Sequence, residues 1–285
     1  GPGEWPSPMV RDLGVLPIEA GARFATGYAE AGGLPVVRGS AIGGSSVVNG
    51  GYFLRWHEGD FAGWPDGWTG ELIARAYDEL DAPDGTMGVA AFADDELGDV
   101  VGLFESYWAR TLPVRDVAEQ WPIVGVNRVR SNRDGPSRRT SAQAYLRPAI
   151  DRPNLSLITD AEVTELGLSG RRVSGVRVGD DHLTAGEVVL CAGTLGTAEI
   201  LLRSGVGGPS GSDTLPIHEH REVLVHYRRR AEPPVAPSAL LQSVVHTADD
   251  VEIRCYSGDM ASFVRGLEPV GPAVGVAVMR PGTTG

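Results

Sequence analysis

Lysine is missing from this chain: all 25 basic residues are arginine, against 37 aspartates and glutamates, for a formal net charge of -12. That balance argues against a nucleic-acid backbone or an anionic membrane surface as partner, because both need clustered positive charge. Cysteine is almost absent as well. Cys191 and Cys255 alone build neither a disulfide framework nor a metal-ligand spacing, and such usage fits a reducing cytosol. Cys191 lies in an apolar run and reads as a buried, inert thiol. No apolar stretch reaches the ~18 residues that span a bilayer, and Gly1-Pro2-Gly3-Glu4-Trp5-Pro6 lacks the basic flank and apolar core of a secretory signal. A cytoplasmic setting without a membrane span is therefore expected. The basic clusters Arg138-Arg139 and Arg228-Arg229-Arg230 read as solvated or ion-paired surface. His218-Glu219-His220 sets two imidazoles at i and i+2 with no further ligands nearby, too little for a metal site.

With 285 residues, 42% of them hydrophobic and 22% charged, the chain can bury a core and fill one or two domains. Its densest signal is Arg38-Gly39-Ser40-Ala41-Ile42-Gly43-Gly44-Ser45-Ser46-Val47-Val48-Asn49-Gly50-Gly51-Tyr52. The glycines let another molecule approach the main chain without meeting a Cβ, while Ser45, Ser46 and Asn49 offer hydrogen bonds. The spacing is neither Gly-x-Gly-x-x-Gly nor a phosphate loop ending in Gly-Lys-Ser/Thr. Taken alone, the run is either a solvated turn or a loop facing a large cofactor.

Its continuation separates the two readings. Tyr52-Phe53-Leu54-Arg55 and then Asp60-Phe61-Ala62-Gly63-Trp64 follow, and the whole stretch resembles the first signature of the glucose-methanol-choline (GMC) family of flavin oxidoreductases. A second block, Ala192 to Gly207, resembles that family's second signature. There Glu187-Val188-Val189-Leu190-Cys191-Ala192-Gly193 reads as a buried strand ending in a small-residue turn, and Thr197 to Gly205 as a short helix closed by glycine.

The resemblance implies an α/β chain, α+β overall, with an incomplete FAD/NAD(P)-binding-type domain and part of an antiparallel-sheet substrate domain. Residues 1–208 would form the partial FAD-binding domain and 209–285 the start of the substrate domain. The implied cofactor is FAD, with Arg38, Gly39, Gly43, Gly44, Ser45, Asn49, Gly50, Gly51, Tyr52, Ala192 and Gly193 as its contacts. Val163, in the phrase Leu155 to Val163, would hold the adenine against backbone. Some relatives attach flavin through a His immediately before the Asn. Val48 stands there in this sequence, so the implied binding is non-covalent.

Periodicity fills in the rest. A short helix is expected over 17–29, a helix over 69–81 with Leu72, Ile73, Ala76, Tyr77 and Leu80 on one face, and another over 95–112 capped by Asp94, whose aromatics belong to the core. Residues 131–141 read as a polar linker and 141–146 as a short helix limited by Pro148. Strands are expected over 155–159, 162–168, 172–178 and 186–191, then over 222–228, 239–247, 251–256 and 273–280.

Two features of the family have no counterpart here. The sequence contains no Gly-x-Gly-x-x-Gly for the flavin pyrophosphate and no acidic residue for the adenosine ribose, and Gly1-Pro2-Gly3 resembles the residues that follow that segment. The family's catalytic His lies in a C-terminal segment beyond the substrate sheet, whereas this chain ends at Gly285; His218 and His220 read as structural. Truncation at both ends is the expectation, with the catalytic base outside the chain. The implied chemistry is oxidation of an alcohol by hydride transfer to flavin. The phrase Asn49 to Phe53 resembles the subgroup associated with mycofactocin, a peptide-derived electron carrier. The alternatives are a choline-dehydrogenase-like alcohol dehydrogenase and a non-catalytic fragment.

Overall fold

The computed structural model describes residues 3–30, 33, 35–56, 58–115, 123–207, 214–218, 221–231 and 239–279. The chain divides into two compact units, Pro2–Leu157 with Glu222–Met279, and Ile158–Arg221.

The first unit opens with β1 (Ala25–Tyr28) antiparallel to β2 (Val36–Gly39), Ala25 facing Gly39. This hairpin replaces the helix expected over 17–29. The glycine-rich run follows as a short 3₁₀ turn, Gly44–Val47, and leads into β3 (Tyr52–Phe53). Helix α1 (Gly70–Asp81) starts where Thr69 accepts the Leu72 N–H at 3.2 Å, a side-chain cap that satisfies one of the helix's free donors. Strand β4 (Val89–Ala91) precedes a single turn, Asp94–Glu96, and α2 (Asp99–Trp108). The second helix is shorter than its apolar spacing suggests. The backbone is extended at Leu97 and again at Gly98, which caps α2. Val101 and Phe104 are buried but Tyr107 is exposed, so not all of its aromatics join the core.

Strand β5 (Gly125–Arg128) is followed by β6 (Arg130–Asp134), which pairs with β3, β4 and β7 (Ser137–Arg138). The supposed polar linker is thus a hairpin. A π-helical turn, Ala142–Leu146, and a 3₁₀ turn with Pro148 come next.

The second unit holds the meander β8 (Val163–Ser169), β9 (Arg172–Val178) and β10 (Asp181–Thr184), and then α3 (Gly193–Arg203). Residues 155–159 and 186–191, both expected as strands, have no ladder among the described residues. Val189 is 76% exposed and Cys191 is exposed rather than buried, the reverse of the apolar-strand reading.

The chain then returns to the first unit with β11 (Glu222–His226), β12 (Leu241–His246), β13 (Val251–Tyr256) and β14 (Ala273–Val278). These form an antiparallel sheet in the order β11-β14-β13-β12-β5. Alternation along the strands divides its residues between two clusters. Val126, Val245 and Cys255 pack with Val101 and Phe104 of α2. Val244, Tyr256 and Ala273 pack with Leu13, Leu16, Phe92 and Phe263. All six residues of β12 are buried.

Candidate functional site

The glycine-rich run is held from below and left open in front. Gly39 N–H donates to Ser45 Oγ at 2.9 Å, and Gly44 N–H to the Ala41 carbonyl at 2.8 Å. The amides of Val48 and Asn49 both reach the Ser45 carbonyl, at 3.1 and 3.0 Å. Ser46 Oγ donates to the Gly43 carbonyl at 2.6 Å, and Ser141 Oγ to the same carbonyl at 3.1 Å. Asn49 Oδ1 accepts from the Gly51 amide at 3.0 Å, bending the chain into β3. Val47 and Val48 lie buried beneath, packed with Phe24 and Ala41, while Ser45 and Asn49 are exposed.

The glycines divide by what faces them. A Cβ on Gly39 would collide with the backbone of Gly44 and Ser45, and one on Gly51 would sit 2.7 Å from Leu13 Cδ2. In front of Gly44, at φ +56°, and of Gly50 there is open space to at least 4 Å. Some of these glycines therefore let the loop close on itself, and others leave its outer edge bare. Such an edge lets another molecule approach the backbone closely.

Arg138, which the sequence pattern assigns to the surface, has no exposed surface. Its Nε donates to the Asn49 carbonyl, and its two terminal nitrogens reach the carbonyls of Val10 (3.2 Å), Asp12 (2.7 Å) and Val15. Burial among carbonyls lowers its guanidinium to about 10, and the charge of Asp12 opposes that shift. Arg55, from the same motif, is buried against Asp81, which also binds Arg130. That bridge anchors the segment after β3 to α1.

Sequence reading missed a second polar cluster. Glu252 on β13 has no exposed surface and accepts from Tyr52 Oη at 3.0 Å, His246 Nε2 at 2.8 Å and Arg254 Nε at 2.6 Å. Burial alone would raise its pKa, but the bonds from His246 and Arg254 and their charges hold it at about 2. Burial and the Glu252 charge push the Tyr52 phenol well above its ordinary range. Glu222 accepts from Tyr256 Oη at 2.8 and 2.9 Å, and lies 3.6 Å from Arg254. The hint in the sequence is the alternation of Glu252 and Arg254 with apolar residues along β13.

In the other unit, Gly193 opens α3 at φ +75° with nothing near its Cβ direction. An open groove of about 550 Å³ is lined there by Leu190, Cys191, Gly193, Thr194, Thr197 and Leu215, among others. Val163 begins β8, on which α3 rests, with the Leu166 amide donating to Ser204 Oγ at 2.8 Å. Arg38 to Tyr52 are thus gathered in one unit, and Val163, Ala192 and Gly193 in the other. Among the described residues, no three His, Cys, Asp or Glu side chains are grouped to hold a metal ion. No helix among them is long and apolar enough to cross a membrane.

The family model described as GMC oxidoreductase matches residues 19–220, which contain both glycine-bearing segments. The chain belongs to the GMC oxidoreductase family. FAD is the cofactor of that family, and the bare edge at Gly44 and Gly50 fits it. Among curated relatives, an uncharacterized GMC-type oxidoreductase in the thcA 5′ region of Rhodococcus erythropolis is 31% identical over 88% of this chain and 56% of its own length. Alcohol dehydrogenase [acceptor] of Pseudomonas putida is 28% identical over 66% of this chain and 37% of its own length. Oxygen-dependent choline dehydrogenase of Staphylococcus aureus is 32% identical over 60% and 33%. The chain thus spans between a third and just over half of these relatives. The crystal structure of pyridoxine 4-oxidase from Mesorbium loti superimposes with a TM-score of 0.79 at 22% identity, over 99% of this chain and 66% of that one, a likeness of fold.

Proposed function

We propose that this GMC chain carries flavin-facing and substrate-facing parts of an oxidoreductase that oxidises an alcohol CH–OH group. The carrying observation is the two-sided glycine run, sealed behind by Arg138 and the buried valines and bare in front at Gly44 and Gly50. Relatives named as alcohol and choline dehydrogenases support the substrate class. When bound, FAD supplies the hydride acceptor. In this reading Ser45 and Asn49 present hydrogen-bonding groups to it, Gly44 and Gly50 admit its close approach, and Gly193 with Ala192 does the same at the head of α3. Position 48 is a valine with no nucleophile, so the cofactor is held non-covalently.

We assign residues 1–208 to a partial FAD-binding domain and 209–285 to the start of a substrate domain. The division is one of role, because β5 joins the sheet of β11 to β14. The base that takes the hydroxyl proton is assigned to a C-terminal histidine segment outside residues 1–285. As acceptor we favour mycofactocin, on the likeness of Asn49 to Phe53 to that subgroup; a choline-dehydrogenase-like enzyme is the alternative.

The test uses a longer polypeptide that adds a Gly-x-Gly-x-x-Gly segment and the histidine segment. Gly50→Leu, which enters open space, should leave the unfolding midpoint unchanged and weaken FAD binding by about tenfold or more. Unchanged affinity would overturn the reading.

A further inference from the structure

Three of the chain's six tryptophans fall within Trp56 to Trp68, and none is used by the site described above. Trp56, Trp64 and Trp68 are 54%, 41% and 51% exposed, and Leu72 beside them is 43% exposed. Every residue from Ala62 to Leu72 is exposed. The rings form one cluster rather than scattered contacts. Phe61 meets Trp56 at 6.1 Å, Trp64 at 5.1 Å and Tyr77 at 6.4 Å between centroids, and Trp64 meets Trp68 edge-on at 5.4 Å.

The cluster is also fixed in place. The Trp56 amide donates to Tyr77 Oη at 3.2 Å, the amides of Trp64 and Trp68 close turns onto Phe61 and Pro65, and Thr69 caps the helix that carries Tyr77 and Leu72. A pre-ordered aromatic face costs little entropy to bind, and Trp is enriched where partners anchor. Asp60, Asp66 and Glu71 lie in the same stretch, from 56 to 72, which contains no arginine. Acidic residues interleaved in sequence with exposed indoles disfavour an anionic bilayer and suit guanidinium or ammonium groups, which also stack on indole.

We propose that Trp56, Trp64, Trp68 and Leu72 form a docking face for a protein partner presenting arginine or lysine side chains around an apolar centre. The probe is a short soluble peptide alternating leucine and arginine, titrated against the chain by tryptophan fluorescence, with the leucine–glutamate peptide as control. Saturable binding of the basic peptide is expected. It should weaken about tenfold or more in Trp64→Ala/Trp68→Ala and several-fold in Asp66→Asn/Glu71→Gln, at an unchanged unfolding midpoint. Should the double tryptophan variant unfold, Trp68→Ser alone carries the comparison. Equal affinity in the variants would overturn the proposal. So would tryptophan-dependent self-association in sedimentation, or tryptophan-dependent binding to phosphatidylcholine vesicles, which would put a second copy or a bilayer on this face.

Discussion

Tyr52 Oη donates to Glu252 Oε2 at 3.0 Å, joining the residue that ends the glycine-rich run to a strand 200 positions later. The bond fixes the exit of the run against a carboxylate that is itself fixed by His246 and Arg254. A run this rich in glycine gains from such a tether, because apart from Val47 and Val48 it has few side chains that anchor it by packing.

The tether has a pH signature. Glu252 titrates at about 2 in the folded chain, against roughly 4.3 when unfolded. A carboxylate with a depressed folded pKa contributes stability that is fully present above its unfolded value and is lost as pH falls from there toward 2. Glu252→Gln should therefore be markedly destabilised at neutral pH. The gap to the unsubstituted chain should narrow by pH ~3, as the unfolded-state glutamate takes up its proton. Urea unfolding of both chains across that range measures the gap, and a constant gap would refute the assignment.

The two thiols should react in opposite ways. Cys255 is buried behind α2, and burial with the nearby Glu105 charge pushes its thiol up to about 12. Cys191 is exposed on the groove wall. Iodoacetamide under native conditions should label one cysteine per chain, and peptide mapping should find it at Cys191. Labelling at Cys255 in the folded chain would contradict the burial.

The cysteine assignments show where sequence was and was not readable. Strands 172–178 and 251–256 appear where alternation places them, because both find antiparallel partners close along the chain, and Thr69 marks the start of α1 by its own chemistry. Segments 155–159 and 186–191 are as apolar as any strand, yet a strand is made by its ladder, and none forms among the described residues. The hairpin at 130–138 was hidden because polar residues stand where hydrophobic alternation should. Ser131, Asn132 and Arg138 are buried there by bonding to backbone carbonyls, which periodicity does not register. The glycine run itself was legible as a unit. What could not be read was which of its glycines face protein and which face open space.

Arg138 ties the glycine-rich run to the segment before it, from Val10 to Val15. Four carbonyls, from Val10, Asp12, Val15 and Asn49, converge on one guanidinium. Arg138→Met would take the guanidinium from all four, and only Asp12 would keep the Val15 amide as a donor, at 3.1 Å; the cost is about 1–3 kcal/mol for each group left unsatisfied. A loss of roughly 3 kcal/mol or more is expected in chemical denaturation. Arg138→Lys should recover only part of it, since an ammonium lacks the planar fork that spans separated acceptors. A loss under about 1 kcal/mol in Arg138→Met would mean that water replaces the guanidinium.

The final expectation concerns what residues 1–285 do alone. The glycine run offers a bare edge and a few hydrogen-bonding groups, but the sequence contains no Gly-x-Gly-x-x-Gly whose helix terminus would neutralise a pyrophosphate. Purified by itself, the chain should hold FAD weakly, well below one equivalent by flavin absorbance, and any flavin present should be released by denaturation. It should also fail to turn over primary alcohols with an artificial dye as acceptor, even with FAD added. Loss of a positioned base by itself removes ~100 to 10,000-fold in rate, and poor flavin retention lowers the competent fraction further. A longer polypeptide that adds both the dinucleotide-binding segment and the C-terminal histidine segment should restore turnover. Equal turnover by the two would place the base within residues 1–285. His246, hydrogen-bonded to Glu252 in the same cluster as Tyr52, would then be the first side chain to substitute, ahead of His218 and His220.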